Sequence, residues 1–89
     1  MAKVNYTEQF MDDVASARVV GKRNEIRKSV ERLSGFPGIG SGNLSEYIVK
    51  TYGANVRKFV VSPFLVICDY DQDTDVVNVL GLVHQRRAF

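Results

Sequence analysis

The residues best equipped for chemistry fall in two clusters. His84, Arg86 and Arg87 follow a run of strand-forming apolar residues and precede Phe89, while Arg57 and Lys58 open another such run. Guanidinium groups present planar, permanently charged donor forks that match phosphate and carboxylate oxygens. An imidazole can donate, accept or transfer a proton near neutral pH. Together these side chains could hold an acidic or phosphate-bearing target, with His84 adding proton transfer. Each also has a plain reading: solvated terminal cations for Arg86 and Arg87, a rim cation for Arg57, and a packing group at a strand end for His84.

Other chemistries find little support. "GIGSG" at 38–42 follows a helical pattern rather than a strand and lacks the Gly-Lys-Ser/Thr ending of a phosphate loop, so it is a flexible loop. "DQDTDV" at 71–76 resembles the opening of a calcium loop, but Val76 stands where the glycine belongs and Leu82 where the glutamate belongs. Those carboxylates are ordinary content of a solvated hairpin turn. His84 is the single histidine and Cys68 the single cysteine, so no metal site and no disulfide framework is expected. No cofactor motif remains.

With 89 residues, the chain makes one small domain, 1–89. A net charge of +2 permits an acidic partner without demanding one. The unpaired cysteine fits a reducing cytoplasm, and no apolar stretch is long enough for a leader or a membrane span.

The positioning elements follow from periodicity. "AKVNYT" alternates and makes a first strand, and Thr7 then caps a helix carrying Glu8 in its first turn and Phe10, Met11, Val14 and Ala15 on one face. Gly21 turns the chain into a second helix over 22–33, striped by Ile26, Val30 and Leu33, with Arg27 and Glu31 four apart on its outer side. Gly35 and Pro37 stop it, which completes an αα-hairpin. "LSEYIVKTYGAN" at 44–55 is ambiguous and is read as an extended arm turning at Gly53 and Asn55. "VRKFVV", "FLVICDY" and "VVNVLGLVH" are three strands joined by short turns, the middle one apolar enough for burial on both faces. The expected fold is α+β: an N-terminal strand, a helical hairpin, then a three-stranded antiparallel meander. Ile26, Val30, Leu33, Leu65 and Ile67 are expected to bury together where hairpin meets sheet.

These features resemble the RelE/ParE superfamily of toxins from bacterial type II toxin–antitoxin modules. The likeness rests on the arginine opening a strand, the strand ending in Asp69 and Tyr70, the polar turn, the strand of valines and leucines, and the closing His84-x-Arg86-Arg87. "RLSGFPGIG" is similar to the family's helix, leucine, proline and glycine punctuation. The resemblance implies a β-α-α-β-β-β fold and a cognate antitoxin that wraps an extended or helical segment around the toxin. It admits two activities, poisoning of DNA gyrase by binding (ParE-type) or ribosome-dependent mRNA cleavage (RelE-type), besides a non-toxic interaction module. For cleavage the candidates are Arg57, His84 and Arg86; the RelE-type terminal tyrosine has no counterpart here, and Glu46 lies on no matching motif. In-line cleavage needs groups that take and give protons, so the ParE-type activity is the first choice. The implied target-binding surface is Arg57, Lys58, His84, Arg86, Arg87 and Phe89. It forms one cluster if the first and third strands of the meander open toward the same sheet edge. The expected partners are the antitoxin and DNA gyrase, or else the ribosome and mRNA, in the cytoplasm and away from membranes.

Overall fold

The computed structural model describes residues 2–16, 23–35, 40, 42 and 44–86. At its centre is the strand β3 (Phe64–Asp71), whose first five residues, Phe64 to Cys68, are all buried. Alternate side chains of a strand point to opposite faces, so a continuous apolar run needs cover on both. One face carries Phe64, Val66 and Cys68, packed with Phe10, Ile26, Val30 and Leu33. The other carries Leu65 and Ile67, packed with Ile48, Val56 and Val83. The sheet is therefore sandwiched.

Four strands make the sheet, in the order β1-β4-β3-β2. The strand β2 (Arg57–Val61) runs antiparallel to β3, as does β4 (Val76–His84) on its other side. The short β1 (Lys3–Tyr6) lies parallel to β4 and pairs only with Val76 to Val79. The second half of β4 thus extends beyond its neighbour. A bulge interrupts the β3–β4 register: Cys68 faces Val79 while Ile67 faces Gly81, which leaves Leu80 as the extra residue. Away from the apolar region, Asn5 donates to Asn78 and Asn78 donates to Asp69, both at 2.9 Å, a side-chain ladder across three strands.

The first face is covered by α1 (Glu8–Ser16) and α2 (Arg23–Glu31), the latter continuing as a 3-10 turn over Arg32–Ser34. Thr7 caps α1 as expected, its Oγ1 accepting from the Phe10 amide at 3.2 Å, with Glu8 in the first turn. Arg27 and Glu31 approach to 3.8 Å on the exposed side of α2, a pair of little energetic weight. Gly21, Pro37 and most of the glycine loop lie outside the described residues.

The second face corrects the sequence reading. Residues 44–55 are no extended arm: Glu46–Tyr52 form a helix, α3, capped by Ser45, whose Oγ accepts from the Ile48 amide at 3.4 Å. Gly53 ends it at φ 95°, a left-handed conformation suited to glycine. The helix is only seven residues long and buries one residue, Ile48. Leu44, Ile48 and Tyr52 recur at i, i+4 and i+8 and pack on one cluster, but seven helical residues give periodicity little length to work with. The expected core is corrected with it. All five named residues are buried, but Ile26, Val30 and Leu33 lie on one side of the sheet and Leu65 and Ile67 on the other, against α3.

Removing Leu65 or Ile48 to alanine should cost about 2–5 kcal/mol each, because both are fully buried. The double mutant should cost less than the sum, since both line one cluster, whereas Leu65→Ala with Val30→Ala should be additive within about 0.5 kcal/mol. Urea titration of the three single variants and the two pairs measures this; coupling of Leu65 to Val30 rather than to Ile48 would refute the two-sided core.

Candidate functional site

Strand direction decides which candidate residues meet. Both β2 and β4 run antiparallel to β3, hence in the same sense as each other. Arg57 begins β2 opposite Cys68, whereas His84 ends β4 opposite Phe64. Four residue steps along β3 and two strand spacings across it separate them by about 13 Å and about 10 Å respectively. Arg57 and His84 occupy diagonal corners of the sheet. The expected single cluster is not assembled.

At the β2 corner, the exposed Arg57 donates to the Gly40 carbonyl at 3.4 Å, and Lys58, the next residue, points to the opposite face. A small cavity of about 360 Å³ lies near the other end of β2, between it and α2, lined by Lys28, Arg32, Val60 and Ser62. Val60 is 57% exposed there. Glu25 lines the same cavity, which thus holds two cations and one carboxylate.

At the β4 corner, His84 and Arg86 do come together. The Arg86 amide donates to Nδ1 of His84 at 3.2 Å, and the imidazole stands edge-on to Phe64 with centroids 5.6 Å apart. With Nδ1 accepting from that amide, Nε2 is the ring nitrogen left for another partner. Arg87 and Phe89 lie outside the described residues. Glu46 is paired instead with Lys50, at 3.0 Å along α3.

Beside His84 opens a wider cavity, a groove of about 1010 Å³ between α1 and α3 whose floor is the protruding half of β4. Asp13 of α1 faces it. One Asp13 carboxylate oxygen accepts from the Leu82 amide at 3.1 Å and the other from Gln9 at 2.8 Å. Thr7 donates to the Val79 carbonyl at 2.6 Å, closing the strand edge just past β1. From α3 come Tyr47 and Tyr52. Tyr52 lies over Gly81 so closely that a Cβ there would come within 2.2 Å of its hydroxyl and 2.8 Å of its ring. Burial, then the nearby Asp13 and Tyr47, pushes the Tyr52 hydroxyl up to about 12, so it stays protonated and serves as a donor.

Of the groove's described lining only His84 was a sequence candidate. One signal did point to the rest: Gly81 interrupts "VVNVLGLVH", and a glycine inside a strand often marks a bulge or a close approach. Here it marks both.

Residues 4–89 match the family described as ParE toxin of type II toxin-antitoxin system, parDE. The chain belongs to the ParE toxin family. Among curated proteins none matches the sequence. A ParE toxin is one half of a type II module, so an antitoxin partner goes with it. Its α+β fold, with an N-terminal strand, helices and an antiparallel meander in a mixed four-stranded sheet, agrees with the expected class. No helix among the described residues is long and apolar enough to cross a membrane.

Two predictions follow from the packing around β4. Gly81→Ala should displace Tyr52 and cost about 1–3 kcal/mol, as overpacking does. Tyr52→Ala in the same chain should recover part of that loss in a thermal melt; no recovery would mean Tyr52 is not the obstacle. The second concerns pH. Burial pushes the Cys68 thiol from 9.0 up to about 11. Between those values the native state keeps a proton that the unfolded chain has lost, so stability is complete below about pH 9 and declines as pH rises toward 11. Tyr52 extends the decline toward 12. Urea midpoints measured from pH 8 to 11 should fall, and Cys68→Ala should flatten the slope; an unchanged slope would exclude the thiol.

Proposed function

We propose that this ParE-family toxin arrests growth by binding and poisoning DNA gyrase, without a hydrolytic reaction of its own, and that a cognate antitoxin neutralises it in the cytoplasm of a bacterium. The family match over residues 4–89 carries this reading. The geometry supports it against mRNA cleavage. A ribonuclease of this fold needs its cations and its proton-transfer groups around one phosphate, and Arg57 is a whole strand-crossing away from His84 and Arg86. His84, with Nδ1 already engaged, is suited to contact a target rather than to deprotonate a hydroxyl. Arg86, just past the end of β4, is the described cation best placed for an acidic or phosphate-bearing surface, and Arg87 and Phe89 follow it in sequence. Arg57 and Lys58 form a separate basic corner.

The purified toxin should inhibit gyrase supercoiling or accumulate cleaved DNA, and should leave mRNA intact on translating ribosomes in a primer-extension assay. Arg86→Ala should raise the inhibitory concentration by roughly ten- to hundredfold, the value of one charge-assisted contact. It should leave stability within about 0.5 kcal/mol, as expected for an exposed side chain. Codon-positioned cuts that vanish in Arg57→Ala or His84→Ala would overturn the proposal in favour of the endonuclease.

A further inference from the structure

Just past β4 the backbone is held by side-chain chemistry as well as by the sheet. Two hydrogen bonds fix its course where the strand ends at His84. The Gln85 amide donates to the Pro63 carbonyl at 2.9 Å, in the turn between β2 and β3. The Arg86 amide donates to Nδ1 of His84 at 3.2 Å. The imidazole is itself anchored. It stands edge-on to Phe64, its cross-strand partner, with centroids 5.6 Å apart. Phe64 is buried and belongs to the core cluster of the first face. A line of contacts thus runs from the core through Phe64 and the imidazole to the amide of Arg86, an exposed residue.

The residue type at 84 is closely constrained by these two contacts. Asparagine and aspartate accept from an amide two residues on in many turns, and either would hold the Arg86 amide. Neither has a ring for Phe64 to pack against. Leucine or phenylalanine would pack and leave the amide without an acceptor, and lysine or arginine has none to offer. Histidine joins an aromatic ring to an acceptor close to its own backbone. The benefit falls on Arg86. A cation on a loose chain end loses backbone and side-chain freedom together when it docks, whereas a fixed backbone leaves only the side chain to order.

We propose that His84 is a positioning residue: through Nδ1 it fixes the Arg86 backbone, so that the guanidinium meets the target already aimed. The proposal rests on Arg86 being the cation that meets the target. It gives Phe64 a second task, support of the imidazole, besides its place in the core. Nε2 stays available to the target, but most of what His84 contributes passes through Arg86.

The test separates the two ring nitrogens. Asparagine places an acceptor near the position of Nδ1, whereas glutamine reaches toward the position of Nε2. Potency is read twice, as the concentration that inhibits gyrase supercoiling and as growth arrest on induction. His84→Ala should raise the inhibitory concentration roughly tenfold, the value of one lost hydrogen bond. His84→Asn should recover most of that loss, and His84→Gln should resemble His84→Ala. With Arg86→Ala already in place, His84→Ala should add less than about threefold, because nothing is left to position. In the free toxin, hydrogen exchange at the Arg86 amide should quicken in His84→Ala and His84→Gln and slow again in His84→Asn. Should His84→Ala fail to fold, the asparagine and glutamine variants carry the comparison. Better rescue by glutamine than by asparagine, or an undiminished His84→Ala loss on top of Arg86→Ala, would make Nε2 a direct contact and overturn the proposal. Equal exchange at the Arg86 amide in every form would overturn it as well. If the unmodified toxin leaves gyrase untouched while growth arrest keeps the same ranking of variants, the target assignment falls and the positioning role stands. If Arg86→Ala alters neither assay, the cation assignment and the positioning role fall together.

Discussion

Everything in this domain follows from one strand that has no solvent-facing side over most of its length. β3 buries five consecutive residues, so it cannot lie at an edge and cannot have one bare face. Two strands flank it and two helical layers cover it. The larger layer, α1 and α2, brings a long apolar stripe; the smaller, α3, brings Ile48 and the half-buried Tyr52. Each layer alone would leave half of β3 in water. At about 25 cal/mol per Å² of apolar surface, that exposure is more than so small a domain could tolerate.

The site is a by-product of unequal strand lengths. β4 must run nine residues to complete its pairing with β3, while β1 supplies four. The remaining edge is handled locally: Thr7 satisfies the carbonyl at the end of β1, and Asp13 satisfies the next outward amide. A buried or half-buried amide left unpaired costs on the order of 1–3 kcal/mol, so a carboxylate at that point stabilises the edge as well as charging the groove. The bulge at Leu80 and the missing side chain at Gly81 let Tyr52 settle onto the sheet and form the wall opposite Asp13.

Charge is divided accordingly. The β2 side gathers Arg57, Lys58, Lys28 and Arg32 with Glu25 among them, whereas the described lining of the groove beside His84 holds one carboxylate and no lysine or arginine.

How much of this was legible in the chain itself varies by element. The alternation of residues 3–6, the helical stripe of Ile26, Val30 and Leu33, the unbroken apolar run of 64–68 and the acidic turn after Asp71 are local signals, and each determined its own element. The family likeness was likewise carried by local motifs, chiefly those of the last third. Three things were decided only by tertiary structure. The helix α3 forms because Leu44, Ile48 and Tyr52 meet a hydrophobic cluster and Ser45 supplies a cap, a stripe too short for the chain alone to separate from an extended arm. The separation of Arg57 from His84 depends on strand direction, to which side-chain type is indifferent: the residue that begins β2 and the residue that ends β4 lie at opposite ends once both strands run the same way. The groove depends on length mismatch between strands remote in sequence, and on Asp13 meeting an amide 69 residues away. Sequence determines what each segment prefers, but pairing partners set which edges stay open, and an open edge has no residue type of its own.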